Sequence, residues 1–144
     1  MKTFIAILII IVLIAASAYS QTWTVQQSNT TQNLWSVAFT NSNTGLICGT
    51  GGIILKTTNG GLNWVAKSSG TTHELMFLQF INSTTGICAS LQGPLLRTTD
   101  EGESWSVISF GNLPTTNALG GGWFKDMNNG VIAYGTSSYT QSKI

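Results

Sequence analysis

Trp23, Trp64 and Trp105 stand 41 residues apart, and then 41 again (64 − 23 and 105 − 64). The same interval separates Leu34 from Leu75, Phe39 from Phe80, Gly45 from Gly86, Lys56 from Arg97 and Gly61 from Gly102. A unit that short cannot bury its own apolar face. It must stack on a neighbouring copy of itself. The repeat therefore constrains the fold more than any local propensity does.

Each unit divides into four short strand-like runs separated by turn residues. The first offers Leu34–Thr40, Leu46–Gly49, Ile53–Thr57 and Trp64–Lys67, and the second Leu75–Ile81, Ile87–Ser90, Leu95–Thr98 and Trp105–Ser109. Between them lie clusters such as Asn-Ser-Asn-Thr-Gly and Asn-Gly-Gly, which supply the left-handed backbone positions of tight hairpins. No sustained helical period follows the N-terminal segment. The expectation is an all-β chain, a partial β-propeller of four-stranded antiparallel blades.

A third unit begins at Trp123-Phe124. Phe124 and Gly130 keep the six-residue offset of Phe39–Gly45 and Phe80–Gly86, and Val131–Tyr134 reads as a second strand. Trp23-Thr24-Val25 aligns with the fourth strand of a unit, so Trp23–Gln27 is expected as a closing strand for a blade. The blades then span about residues 34–68, 75–109 and 123–144: two and a half blades plus that strand, within one domain at 21–144. A closed propeller takes at least about four blades, or ~160 residues at this period. The chain thus reads as a truncated product, a fragment, or a unit that assembles with others. Open blade edges also make self-association an expectation.

Residues 1–20 read as a secretory signal peptide. Lys2 precedes an unbroken apolar run, Phe4–Ala16, and small residues follow, with cleavage after Ala18 or Ser20. The run is shorter than the roughly 20 residues of a spanning helix, so no stable membrane span is expected. The location implied is secreted, periplasmic or cell-surface. Beyond residue 20, Lys56, Lys67, Arg97, Lys125 and Lys143 balance Glu74, Asp100, Glu101, Glu103 and Asp126. That balance leaves no basic footprint for nucleic acid.

Cys48 and Cys88 are 40 residues apart, one short of the repeat. Side chains alternate along a strand, so the two point to opposite faces of their blades. Opposite faces of consecutive blades either meet across one interface or point away from each other. Two buried small apolar side chains are expected rather than a bridge.

The hairpins between third and fourth strands carry the clearest motif. They read Thr57-Thr58-Asn59-Gly60-Gly61-Leu62-Asn63-Trp64 and Thr98-Thr99-Asp100-Glu101-Gly102-Glu103-Ser104-Trp105. The Asp or Asn oxygen accepts turn N–H groups, the Thr hydroxyl adds bonds to the loop, and Gly61 and Gly102 permit positive φ. Trp64 and Trp105 bury ring surface against the blade. The pattern resembles the Asp-box, or BNR repeat. The second copy fits well, whereas the first carries Asn59 and Asn63 in place of Asp and Ser or Thr. The wider repeat resembles the photosystem II stability/assembly factor family and its secreted bacterial relatives over residues 22–135. That resemblance implies a propeller and a protein-binding or assembly role. For the named residues it implies structural work in the turns.

Asp-box repeats also occur in sialidases, which hold a carboxylate sugar with an arginine cluster. Arg97 is the one arginine here, and it aligns with Lys56, so both read as strand-surface charges rather than a unique site. No catalytic residue and no cofactor is assigned. His73 is the lone histidine, and the close ligand pairs of zinc sites are missing, so no metal is assigned either. Candidate binding positions lie on inter-blade connections: Gln32 and Asn33, His73 and Glu74, and Asn117 in the long connection 111–122. The principal reading is a secreted, non-catalytic scaffold with a protein partner. The alternative is a carbohydrate-binding or sialidase-like surface protein, for which Trp35 and Trp123 would stack on sugars, although core burial is expected of both.

Overall fold

The computed structural model describes residues 23–108 and 118–135. The expected signal peptide at 1–20, Asn117 and residues 136–144 lie outside the described residues.

Among the described residues ten strands form in sequence order: β1 (Leu34–Phe39), β2 (Gly45–Gly49), β3 (Ile54–Thr57), β4 (Val65–Lys67), β5 (Leu75–Phe80), β6 (Gly86–Ser90), β7 (Leu95–Thr98), β8 (Ser106–Ile108), β9 (Ala118–Phe124) and β10 (Gly130–Gly135). Two four-stranded sheets run β1-β2-β3-β4 and β5-β6-β7-β8, and β9 pairs with β10. All neighbours are antiparallel. The two full blades share even their irregularity, a register shift at Leu34/Ser36 and again at Leu75/Phe77.

The six-residue Phe-to-Gly offset has a direct geometric cause. Phe39 pairs across the strands with Gly45, Phe80 with Gly86 and Phe124 with Gly130. A Cβ on Gly45 would lie 2.7 Å from the Phe39 ring, and one on Gly130 2.4 Å from that of Phe124. Each ring lies over a glycine backbone because no side chain stands there.

Strand alternation gives every blade two faces. The back of the first blade carries Leu46, Cys48 and Ile54, and the front of the second carries Leu78, Cys88 and Leu96; all six belong to one buried cluster. The back of the second blade carries Ile87, Ala89 and Leu95, which pack with Phe124 and Ile132 of the third. Each such fully buried Leu or Ile contributes about 1.5–3 kcal/mol. The hydrophobic core therefore lies between blades.

Polar contacts register the stack. Leu78 N donates to Ser36 Oγ at 3.1 Å. The Gln79 side chain donates to Phe124 O and accepts from Phe124 N, both at 2.8 Å, so it stands in for a strand on the third blade's first strand. Cys48 and Cys88 meet across the first interface as buried free thiols. Burial, followed by the Cys48 thiol beside it, raises the Cys88 pKa well above the ordinary thiol value.

Several expectations are corrected. Trp23–Gln27 forms no strand: Trp23 is fully exposed and Val25 nearly so. A strand needs a ladder partner, and no described strand edge pairs with this segment. The third blade starts at Ala118 rather than 123, so residues 118–122 of the expected loop are strand, paired with Ala133, Ile132 and their neighbours. Trp35 and Trp123 are not core residues; they are 47% and 58% exposed on the outer faces of the end blades. Lys56 is no surface charge, being 5% exposed between two blades.

Candidate functional site

The two ends of the blade stack differ in construction. One end holds the Asp-box hairpins. Thr57 Oγ1 donates to Asn59 Oδ1 at 2.9 Å and accepts from the N–H groups of Asn59 and Gly61. Thr98 repeats this with Asp100 and Gly102. Asn63 N donates to Asn59 Oδ1, and Ser104 N to Asp100 Oδ1. The second hairpin adds a bond the first lacks, Ser104 Oγ to Asp100 Oδ2 at 2.6 Å. The Ser104 hydroxyl and N–H, then the Thr98 hydroxyl, pull the Asp100 carboxyl down to a pKa of about 2.

Each hairpin docks on the first turn of its own blade. Gly60 N donates to Asn43 O, and Glu101 N to Thr84 O. Those turns are closed by Asn41 and Asn82, whose Oδ1 atoms accept two backbone N–H groups each. Trp64 meets Phe39 edge-on, with ring centroids 6.3 Å apart. Trp105 packs instead against the cluster between blades, with its indole N–H unpartnered among the described residues.

The second hairpin also grips the first blade. Lys56 Nζ donates to Glu103 Oε1 at 2.8 Å, Lys67 reaches Oε2, and Glu101 lies 3.9 Å from Lys56. The bonds from Lys56 and then Lys67 hold the Glu103 carboxyl below its ordinary range. Arg97, at the position matching Lys56, is half-buried, and its Nε has no partner among the described residues. Thr57, Asn59 and Gly61 thus bond one another within the first turn, Thr98, Asp100 and Gly102 do so within the second, and Trp64 and Trp105 pack against Phe39 and the inter-blade cluster.

The opposite end is a rim of inter-blade connections. Asn33 O accepts from Thr50 N, and Glu74 O from Leu91 N. A Cβ on Gly52 would touch Thr71 O, and one on Gly93 would touch the His73 ring. These contacts run the expected positions Gln32–Asn33 and His73–Glu74 into one surface, through the turns at 50–52 and 90–94. Gln32, Asn33 and His73 are exposed and Glu74 half-buried. An open cleft of about 610 Å³ lies there, lined by Gly52, Lys67, Ser68, Ser69, Gly70, Thr71, Thr72 and His73. Sequence reasoning missed the Ser68–Thr72 stretch. Its signal was a five-residue run of small polar residues around Gly70, which takes φ +74°.

Among the described residues no three His, Cys, Asp or Glu side chains gather as metal ligands. No described helix is long and apolar enough to cross a membrane.

The family model described as Photosynthesis system II assembly factor YCF48 matches residues 15–121. A solved structure of YCF48 bound to D1 peptide resembles this fold at TM-score 0.65 and 23% identity. The alignment covers 81% of this chain and 37% of that one, so this chain spans little more than a third of that protein's length. No curated protein matches.

Proposed function

We propose that this chain, which belongs to the photosynthesis system II assembly factor YCF48 family, is a non-catalytic scaffold that binds a protein segment. The binding surface in this reading is the rim of connections around Gln32, Asn33, His73 and Glu74. The observation that carries it is the division of labour between the two ends. The hairpin end spends its Thr57, Asn59, Thr98 and Asp100 side chains on its own turns, whereas the rim holds an open cleft that His73 lines together with the exposed Ser68 and Thr72. The similar structure of YCF48 is bound to a D1 peptide, which supports a peptide-like ligand. We further propose that residues 1–20 export the chain and that it works outside the cytoplasm.

Sugar binding is the weaker reading. Trp35 and Trp123 are exposed enough to stack on a ring, but they stand on opposite end faces and share no groove.

The test is direct titration with a D1 peptide, by interferometry on the chain and on a His73→Ala/Glu74→Ala variant. Binding that weakens at least fivefold in the variant, while Leu62→Ala at the hairpin end binds as before, supports the rim. No binding, or equal weakening by Leu62→Ala, overturns the assignment.

A further inference from the structure

We propose that Gln92, together with Gln32, hydrogen-bonds the bound segment through its side-chain amide, a reading that rests on the rim as the binding surface.

Three non-glycine residues among those described take a positive φ: Asn29 (+57°), Gln92 (+55°) and Glu101 (+59°). Asparagine tolerates this conformation, whereas glutamine and glutamate adopt it only with strain. Glu101 is engaged within the fold, because its N–H donates to Thr84 O and its carboxylate lies 3.9 Å from Lys56. Gln92 is not. It is exposed, and its amide bonds no described residue. The matching residue of the first blade, 41 positions earlier, is Gly51, where φ is +70°. A glycine adopts that conformation freely. The second blade thus holds a strained side chain where the first holds none. Strain kept at an exposed turn points to a task for the side chain.

The turn is tied to the rim positions. Leu91 N donates to Glu74 O at 2.7 Å, as Thr50 N does to Asn33 O at 2.9 Å. A Cβ on Gly93 would lie 2.6 Å from the His73 ring. His73 also lines the cleft that Ser68 to Thr72 form. It therefore stands between the cleft and the turn that carries Gln92.

The first blade brings an amide to the equivalent place by another route. A Cβ on Gly51 would lie 3.9 Å from Oε1 of Gln32. The Gln32 side chain thus approaches the point from which the Gln92 side chain departs one blade later. Gln32 is exposed too, and its hydrogen bond to a described residue is made by its main-chain N–H, to Thr30 Oγ1. The rim presents one primary amide on each full blade, at matched places. Such a group both donates and accepts, as a peptide group does. Two of them on consecutive blades suit an extended segment that lies across both.

The test is interferometry with a D1 peptide, run beside urea unfolding, on the full chain and on Gln92→Gly, Gln92→Ala and Gln32→Ala. Gln92→Gly removes amide and strain together, whereas Gln92→Ala removes the amide and keeps the left-handed strain. The expected result is a raised urea midpoint for Gln92→Gly alone. Peptide binding is expected to be at least threefold weaker in all three variants, the scale of one lost neutral hydrogen bond. A variant that is more stable yet binds less well is not what a merely structural residue gives. Wild-type binding by Gln92→Gly, where His73→Ala/Glu74→Ala still weakens it, overturns the role of Gln92 and leaves the rim in place. A midpoint that does not rise removes the strain and overturns that role equally. Gln32→Ala that binds as the wild type does overturns the pairing of the two amides. Failure of the wild-type chain to bind, or a rim double variant that binds as before, overturns the rim and this proposal with it.

Discussion

Lys56 Nζ in the first blade donates to Glu103 Oε1 in the hairpin of the second at 2.8 Å, with Lys56 5% and Glu103 51% exposed. The ammonium is out of water and the carboxylate half in it. The pair therefore clamps two blades that the apolar cluster between them already holds. Removing the carboxylate strands a buried cation, whereas removing both charges does not.

Glu103→Gln is accordingly expected to destabilise the fold by about 1 kcal/mol, a value discounted for the exposure of Glu103. Lys56→Met combined with Glu103→Gln should recover most of that loss. Urea midpoints of the two variants decide it; a double variant that is additively worse removes the clamp from the account.

The second Asp-box should matter more than the first. Asp100 accepts from Thr98 Oγ1, Ser104 N and Ser104 Oγ, but Asn59 only from Thr57 Oγ1 and Asn63 N. We expect Asp100→Ala to lower stability by about 1 kcal/mol more than Asn59→Ala, since charge-assisted bonds are the stronger ones. Equal shifts in denaturant midpoint would contradict the ranking.

Acid should unfold the protein through the same carboxylates. Asp100 is held at about 2, and Glu103 and Asp126 are also lowered. Free Asp and Glu titrate near 4. The unfolded chain then binds more protons than the folded one below that pH. The stabilisation is fully present above about pH 5 and is lost as pH falls through the folded values toward 2. Thermal midpoints measured from pH 7 to 2 should drop over that window, and Asp100→Asn should flatten the drop.

Gly102→Ala tests a close approach. Gly102 has φ +81°, and an added Cβ would lie 2.4 Å from Leu46 Cδ1 in the other blade. Gly70 has φ +74° with nothing within 4 Å. Gly70→Ala should lower stability by about 1 kcal/mol from backbone strain alone, and Gly102→Ala by clearly more. Melting of both variants checks the order.

The thiols should be inert while the fold holds. Cys48 and Cys88 are fully buried and Cys88 is pushed up by that burial. Alkylation at pH 8 should modify neither in native buffer and both in strong denaturant, as read by mass spectrometry. Labelling of the native chain at the rate of a free thiol would show that the two blades separate.

Much of the fold was legible in the residues. The 41-residue interval, the alternation within each run and the turn clusters located nearly every strand, because a period-two pattern and a hairpin residue act over a few positions. The Asp-box bonds were legible for the same reason: Thr98, Asp100, Gly102 and Ser104 meet within one turn. What lay beyond such reasoning was decided by which blade covers which face. Periodicity put Cys48 and Cys88 on opposite faces but left open whether those faces meet. It made Lys56 and Arg97 equivalents, yet Glu103 from the next blade buries and pairs the first, while the second's Nε is without a described partner. It suggested core burial for Trp35 and Trp123, which are 47% and 58% exposed among the described residues. Burial in a stacked repeat belongs to the pair of blades, and no single strand's sequence carries the identity of the surface opposite it.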